Sequence, residues 1–173
     1  MSSSIAISYP NISRGHITKT WYMTQNIKLQ FVDKVIRENE TLELLEEVPC
    51  GNNDRCRCDL TGVLYRNSEP IATIGIEIKN FQSDFNTGSG QNFEFDYNYI
   101  AVPSVLVGYA IRYLREKSME WVGVLEIDEY GRLFFVVEAL LNKNPDYQSK
   151  TILGYNIKKL DMNDFIRSSK NNL

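Results

Sequence analysis

Arg57-Cys58-Asp59-Leu60-Thr61-Gly62-Val63-Leu64-Tyr65 and Ile71-Ala72-Thr73-Ile74-Gly75-Ile76-Glu77-Ile78-Lys79 are two alternating runs separated by the polar stretch Arg66-Asn67-Ser68-Glu69-Pro70. This pattern predicts a β-hairpin. Successive side chains on a strand point to opposite faces, so the pairing can be tested for self-consistency. With Tyr65 opposite Ile71 across a five-residue loop, Leu64, Gly62, Leu60 and Cys58 oppose Ala72, Ile74, Ile76 and Ile78. That face is almost wholly apolar and is expected to form the core. The other face receives Val63, Thr61 and Asp59 against Thr73, Gly75 and Glu77, with Lys79 two residues further on. Asp59 then faces Glu77 directly. A slip of one residue would turn the acids toward the isoleucines, so the hydrophobic pattern selects this register.

Two carboxylates opposed on a sheet repel each other and destabilise the pair. A divalent cation removes that penalty. Oxygen-only donors suit Mg²⁺, which takes one or two carboxylates and keeps several waters. Lys79, on the face of Glu77, is placed to orient an attacking water or to stabilise charge that builds on a phosphate. Taken alone, a Glu-x-Lys on a strand is most often a solvated face with alternating charges. The coincidence of Asp59 with it, on one face of one hairpin, points instead to a metal site.

Working outward, Phe31, Val32, Val35 and Ile36 recur at helical spacing and predict an amphipathic helix over about 20–39. Leu42 to Val48 either extends it or begins a strand, and Pro49, Gly51, Asn52 and Asn53 read as a turn. Beyond the hairpin, Phe81 to Phe85 suggests a short helical turn before a loop around Gly88-Ser89-Gly90. A strand is expected over Tyr97 to Val102, ended by Pro103, and a helix from Ser104 to Lys117. Strands over Trp121 to Ile127 and Arg132 to Glu138 flank a turn at Asp128-Glu129-Tyr130-Gly131. A last short helix is expected over Lys159 to Ser169. Residues 1–17, rich in Ser and Asn, read as an extended or partly disordered arm, and 18–173 as a single domain. The order of elements gives a mixed α/β layer fold.

The 173 residues suffice for one domain with a core. Apolar runs such as Val105-Leu106-Val107 are too short to cross a bilayer, and the start of the chain does not read as a signal peptide, so no membrane partner and a cytoplasmic location are expected. A net charge of −3 argues against a strong sequence-blind grip on DNA, which runs on many Lys and Arg contacts to phosphate. Cys50, Cys56 and Cys58 cluster, but an iron-sulfur centre needs four thiolates and the single histidine, His16, is distant. They are expected to be reduced structural residues.

At Cys58-Asp59 and Glu77-Ile78-Lys79 the sequence resembles the PD-(D/E)xK nuclease superfamily, in which an acid begins one strand and (D/E)-x-K lies on the next. Cys58 replaces the nominal proline. Arg57-Cys58-Asp59, Ile76-Glu77-Ile78-Lys79, Ser83-Asp84-Phe85, Asn98-Tyr99-Ile100-Ala101-Val102-Pro103 and Val122-Gly123-Val124-Leu125 follow the order of small stand-alone members of the MmcB-like DNA-repair group, across roughly residues 55–140. Gln91 stands where some relatives carry a histidine. The resemblance implies a restriction-endonuclease-like αβββαβ core with a mixed central sheet flanked by helices. It also implies a Mg²⁺-dependent deoxyribonuclease, with Mn²⁺ as a substitute, hydrolysing phosphodiester bonds in repair, restriction or defence. Asp59, Glu77 and the carbonyl of Ile78 would hold the metal and Lys79 would assist the water. The rival reading is a catalytically silent nuclease-fold protein that binds nucleic acid or a protein partner. Glu38, Glu40, Glu43, Glu46 and Glu47 are candidates for a further acid. Asn80 and Gln82 are candidates for phosphate contact, and Asp84 for a turn cap or a site residue. Phe93, Phe95, Tyr97 and Tyr99 are candidates for base stacking, with alternation sending at least half of them to the core. A homodimer is expected, since cutting both strands of a duplex calls for two sites.

Overall fold

In the computed structural model, which describes residues 19–49, 57–87 and 93–143, the chain forms one six-stranded mixed sheet with a helix on each face. Helix α1 (Lys19–Val35) precedes strands β1 (Glu40–Pro49), β2 (Arg57–Arg66) and β3 (Glu69–Ile78). A 3-10 turn (Gln82–Phe85) leads toward β4 (Tyr97–Pro103), and a second one (Ser104–Leu106) opens α2 (Val107–Glu116). Strands β5 (Gly123–Ile127) and β6 (Leu133–Val137) complete the sheet. Spatial order equals chain order. β1, β2 and β3 are antiparallel, β4 and β5 run parallel to β3, and β6 turns back. The expectation of an α/β layer fold with a mixed sheet holds. The chain carries more strands than an αβββαβ core, because β4 lies directly beside β3 before α2 begins and β6 follows β5. The arm over 1–17, the loop around Gly88-Ser89-Gly90 and the helix over Lys159 to Ser169 lie outside the described residues.

The alternation read from the hairpin divides the core into two layers. Leu60, Ile74, Ile76 and Ile78 join Leu42, Leu44, Tyr99, Ala101 and Leu125 beneath α1, which contributes Tyr22, Met23, Ile27 and Phe31. Ile100, Val102, Val122 and Val124 on the opposite face pack against Ala110, Tyr113 and Leu114 of α2. Full burial of such side chains stabilises by about 1.5–3 kcal/mol each before entropy is counted. The segment 42–48 resolves as strand, because Leu42 and Leu44 alternate into the α1 layer. Helix α1 stops at Val35, short of Asn39, whose φ of 63° turns the chain into β1.

The register matches expectation from Leu60↔Ile76 to Leu64↔Ala72, then departs. Tyr65 pairs with Pro70, not Ile71, and Arg66 with Glu69. The turn is the two-residue Asn67-Ser68, with φ of 51° and 68°, whose left-handed backbone suits the twist of a tight hairpin. Ile71 is the extra residue of the resulting bulge and is exposed. Cys58 also departs from the expected face. It is buried against Phe95, and its thiol donates to the Leu60 carbonyl at 3.1 Å. Phe95 lies on the α2 side over Gly75, where a Cβ would meet the ring at 2.2 Å, so glycine is required there by close approach.

Candidate active site

Because β3 and β4 are parallel, their carboxyl ends lie together, and the start of antiparallel β2 and the end of β1 meet them there. Open α/β sheets bind ligands at that edge. Asp59 is the third residue of β2, Glu77 is the penultimate residue of β3, and Lys79 immediately follows β3 with its amide donating to the Ala101 carbonyl at 3.0 Å. All three sequence-predicted side chains are therefore brought to one corner of the sheet.

Their burial is unusual for charged groups. Glu77 is 2% and Lys79 6% exposed, and Asp59 is half-buried. An Asp59 carboxylate oxygen accepts the amide of Ile78 at 2.6 Å. Ladder pairing of β2 with β3 begins at Leu60↔Ile76, so this side chain satisfies a backbone donor at the frayed end. Burial pushes the Asp59 carboxyl above its ordinary range. The Ile78 amide opposes that shift, the negative charge of Glu47 adds to it, and Lys79 and a hydrogen bond with Glu77 oppose it. Two carboxylates brought near each other on a sheet repel, a penalty that a proton or a cation relieves.

The structure separates the five candidate glutamates. Glu40 is buried and held by Arg66, with Oε1 accepting from Nη2 at 2.6 Å. Glu46 pairs with Lys28 at 2.7 Å, and Glu38 and Glu43 are exposed. Glu47 alone acts on Asp59, from the end of β1, with an uncommon φ of 54°. Among the described residues no three His, Cys, Asp or Glu side chains stand together as a group able to hold a metal ion. A site here rests on two carboxylates, a donor number that fits Mg²⁺ with its retained waters and not a closed all-protein cage.

Supporting residues fall into place around Lys79. Asp84 accepts the amides of both Asn80 and Phe81 at 2.9 Å, so it caps the turn after the lysine. The Asn80 side chain donates to the hydroxyl of Thr20 at 2.6 Å, pinning the start of α1 to this segment. Gln82 is exposed. Of the aromatic candidates, Phe93, Phe95 and Tyr99 are buried and Tyr97 lies at the opposite end of the sheet. They belong to the core and to a distant cavity, and none reaches the acidic corner as a stacking surface. Thr20 and Phe81 escaped the sequence reading; their only signal there is adjacency to predicted elements.

That cavity, of about 690 Å³, opens where α1 ends and β3 begins, and is lined by Phe31, Arg66, Tyr97, Tyr99, Phe135 and Glu138 among others. It is remote from Asp59 and Glu77 in the register of β2 and β3. No helix of the described chain is long and apolar enough to cross a membrane. No family model matches the chain, and neither does any curated protein or solved structure.

Proposed function

We propose that this chain is a metal-dependent nuclease of the PD-(D/E)xK kind that hydrolyses phosphodiester bonds in DNA. One observation carries the reading: the half-buried Asp59 and the buried Glu77 and Lys79 share one corner of the sheet, at the carboxyl ends of the parallel strands β3 and β4. Asp59, Glu77 and the Ile78 carbonyl would hold Mg²⁺ or Mn²⁺. Such an ion, when bound, supplies Lewis-acid polarisation of the phosphate and a more acidic attacking water. The protein's own contribution is placement. The Ile78 amide fixes the Asp59 carboxylate and the Asp84 clamp fixes the backbone after Lys79, whose ammonium would stabilise the charge that builds as water attacks phosphorus and the ester P–O bond breaks. The restriction-endonuclease-like core belongs to the same proposal, as the antiparallel β1–β3 meander joined to a parallel strand supports it.

The test is digestion of single-stranded, duplex, flap and junction DNA in Mg²⁺, Mn²⁺ or EDTA. Cleavage is expected with either metal and none with EDTA, and Asp59→Ala and Glu77→Ala should lose both cleavage and metal binding. Absence of metal-dependent cleavage on every substrate would overturn the enzyme reading and leave the silent binding protein, which the net charge of −3 favours in kind by limiting phosphate contacts.

A further inference from the structure

The segment directly after Lys79 presents an aromatic ring to solvent on a clamped backbone. Phe81 is 61% exposed. A single exposed phenylalanine is ordinary, but the backbone that carries this one is clamped and a cation stands beside its ring. Its amide and that of Asn80 are both clamped by the Asp84 carboxylate, the Asn80 side chain is tied to Thr20, and the Lys19 ammonium stands 5.4 Å from the ring centroid. Two residues span at most about 7 Å of chain, so the ring originates next to Lys79. An exposed ring with a cation beside it is the pairing that single-strand binding sites use, in which a base stacks on the ring and the cation meets a neighbouring phosphate.

We propose that Phe81 and Lys19 form a stacking platform for an unpaired base at the entrance to the Asp59–Glu77–Lys79 corner, which makes single-stranded or frayed nucleic acid the substrate class. The proposal rests on the nuclease reading for its position and on Phe81 for its selectivity. Bases inside a continuous duplex already stack on one another and offer no free face. The net charge of −3 points the same way, because a chain with few phosphate contacts gains more from stacking, which salt does not screen.

The experiment measures binding of a short labelled thymidine oligonucleotide and of a duplex of equal length, by fluorescence anisotropy in Ca²⁺, for wild type and for Phe81→Ala, Phe81→Trp and Lys19→Ala. Cleavage in Mg²⁺ is followed in parallel. Phe81→Ala should weaken single-strand binding by about 5- to 100-fold, the scale of one lost base–aromatic stack, and Phe81→Trp should restore it. Duplex binding should not change. Lys19→Ala should lower the salt dependence by about one phosphate contact, a change in log–log slope of about 0.7. Wild type that ignores the oligonucleotide, or Phe81→Ala that binds both ligands as wild type does or loses both equally, overturns the platform. Phe81-dependent single-strand binding without any cleavage keeps the platform and sinks the nuclease. Cleavage with unchanged strand preference in Phe81→Ala does the reverse.

Discussion

The two ends of the β1–β3 meander treat a buried carboxylate in opposite ways. At the turn end, Glu40 is buried but meets an arginine fork, with Oε1 accepting from Arg66 Nε at 3.1 Å and Nη2 at 2.6 Å, while its other oxygen takes the Arg37 amide. The Arg66 contact above all holds the Glu40 carboxyl below its usual range, so its charge is welcome in the fold. At the other end burial above all holds Asp59 above its usual range, with the charge of Glu47 adding to the shift and that of Lys79 opposing it. The same sheet thus gives Glu40 an arginine partner and sets Asp59 where burial outweighs the neighbouring ammonium. Groups whose environment opposes their charge are candidates for a site where a ligand completes the balance, so the contrast singles out the acidic corner, and not the Glu40–Arg66 end, as the place to test for a cation.

The contrast breaks most visibly if each end loses its cation. Lys79→Met deletes the charge and keeps the stem, so cleavage is expected to fall by about 10²–10³-fold, the cost of one preorganised electrostatic donor. Metal binding should survive, since the carboxylates remain and a repelling charge has gone. Arg66→Met should do the opposite: the melting temperature falls because Glu40 stays buried without its partner, while cleavage per folded molecule stays near wild type. A cleavage time course, calorimetric Mn²⁺ titration and a thermal melt on both variants decide the matter. Wild-type cleavage by Lys79→Met would falsify the role assigned to that lysine.

A smaller effect sharpens the structural end. Tyr99, beside the cavity, is pushed up to about 12 by burial first and by the charge of Glu138 second. An unfolded tyrosine ionises near 10. The folded chain therefore keeps the proton longer, its stabilising contribution is complete below pH 10, and it is lost as pH rises to about 12. Denaturant stability should fall by about 2–3 kcal/mol across that window beyond the fall seen for Tyr99→Phe. An equal fall in the variant would show that Tyr99 is solvated. Nothing comparable should happen at the acidic corner, where the imbalance is already present at neutral pH.

The hairpin sequence carried more of this than the rest of the chain. Alternation alone placed Leu60, Ile74 and Ile76 in one layer and brought Asp59 to the end of the sheet that carries Glu77, because a period of two admits no other arrangement once Ile74, Ile76 and Ile78 must be buried. It failed at the turn, where Asn67 and Ser68 adopt left-handed backbone and shorten the loop, a choice made by local geometry and not by hydrophobic pattern. It failed at Cys58, where the frayed strand end presents the thiol to Phe95. It also failed to rank five glutamates spaced along one segment. Their separation depends on Arg66, Lys28 and the twist at Glu47, which are partners set by tertiary contacts. The supporting clamp of Asp84, Asn80 and Thr20 was hidden for the same reason, since Thr20 and Asn80 lie sixty positions apart.

The smallest expected effect is the most direct test of the contrast, because it asks for opposite signs from the same chemical change. Asp59→Asn removes a charge that the fold resists and keeps an oxygen able to accept the Ile78 amide. In EDTA it should raise stability by a few tenths to about 1 kcal/mol, the scale on which facing like charges destabilise strand pairs. Because the Asp59 carboxyl lies above its ordinary value in the fold, wild-type stability falls as pH rises through that raised value, and the variant should lose this slope. Glu40→Gln removes a charge that Arg66 requires, so it should lower stability at neutral pH. Its wild-type contribution is present above the ordinary value of 4.5 and disappears as pH falls through the lowered folded value. Adding Mg²⁺ should then stabilise wild type and Glu40→Gln but not Asp59→Asn, since only a chain that binds the ion in its folded state gains from it. If the two substitutions shift the EDTA melt in the same direction, the acidic corner is not short of positive charge, and the argument for a cation there fails with it.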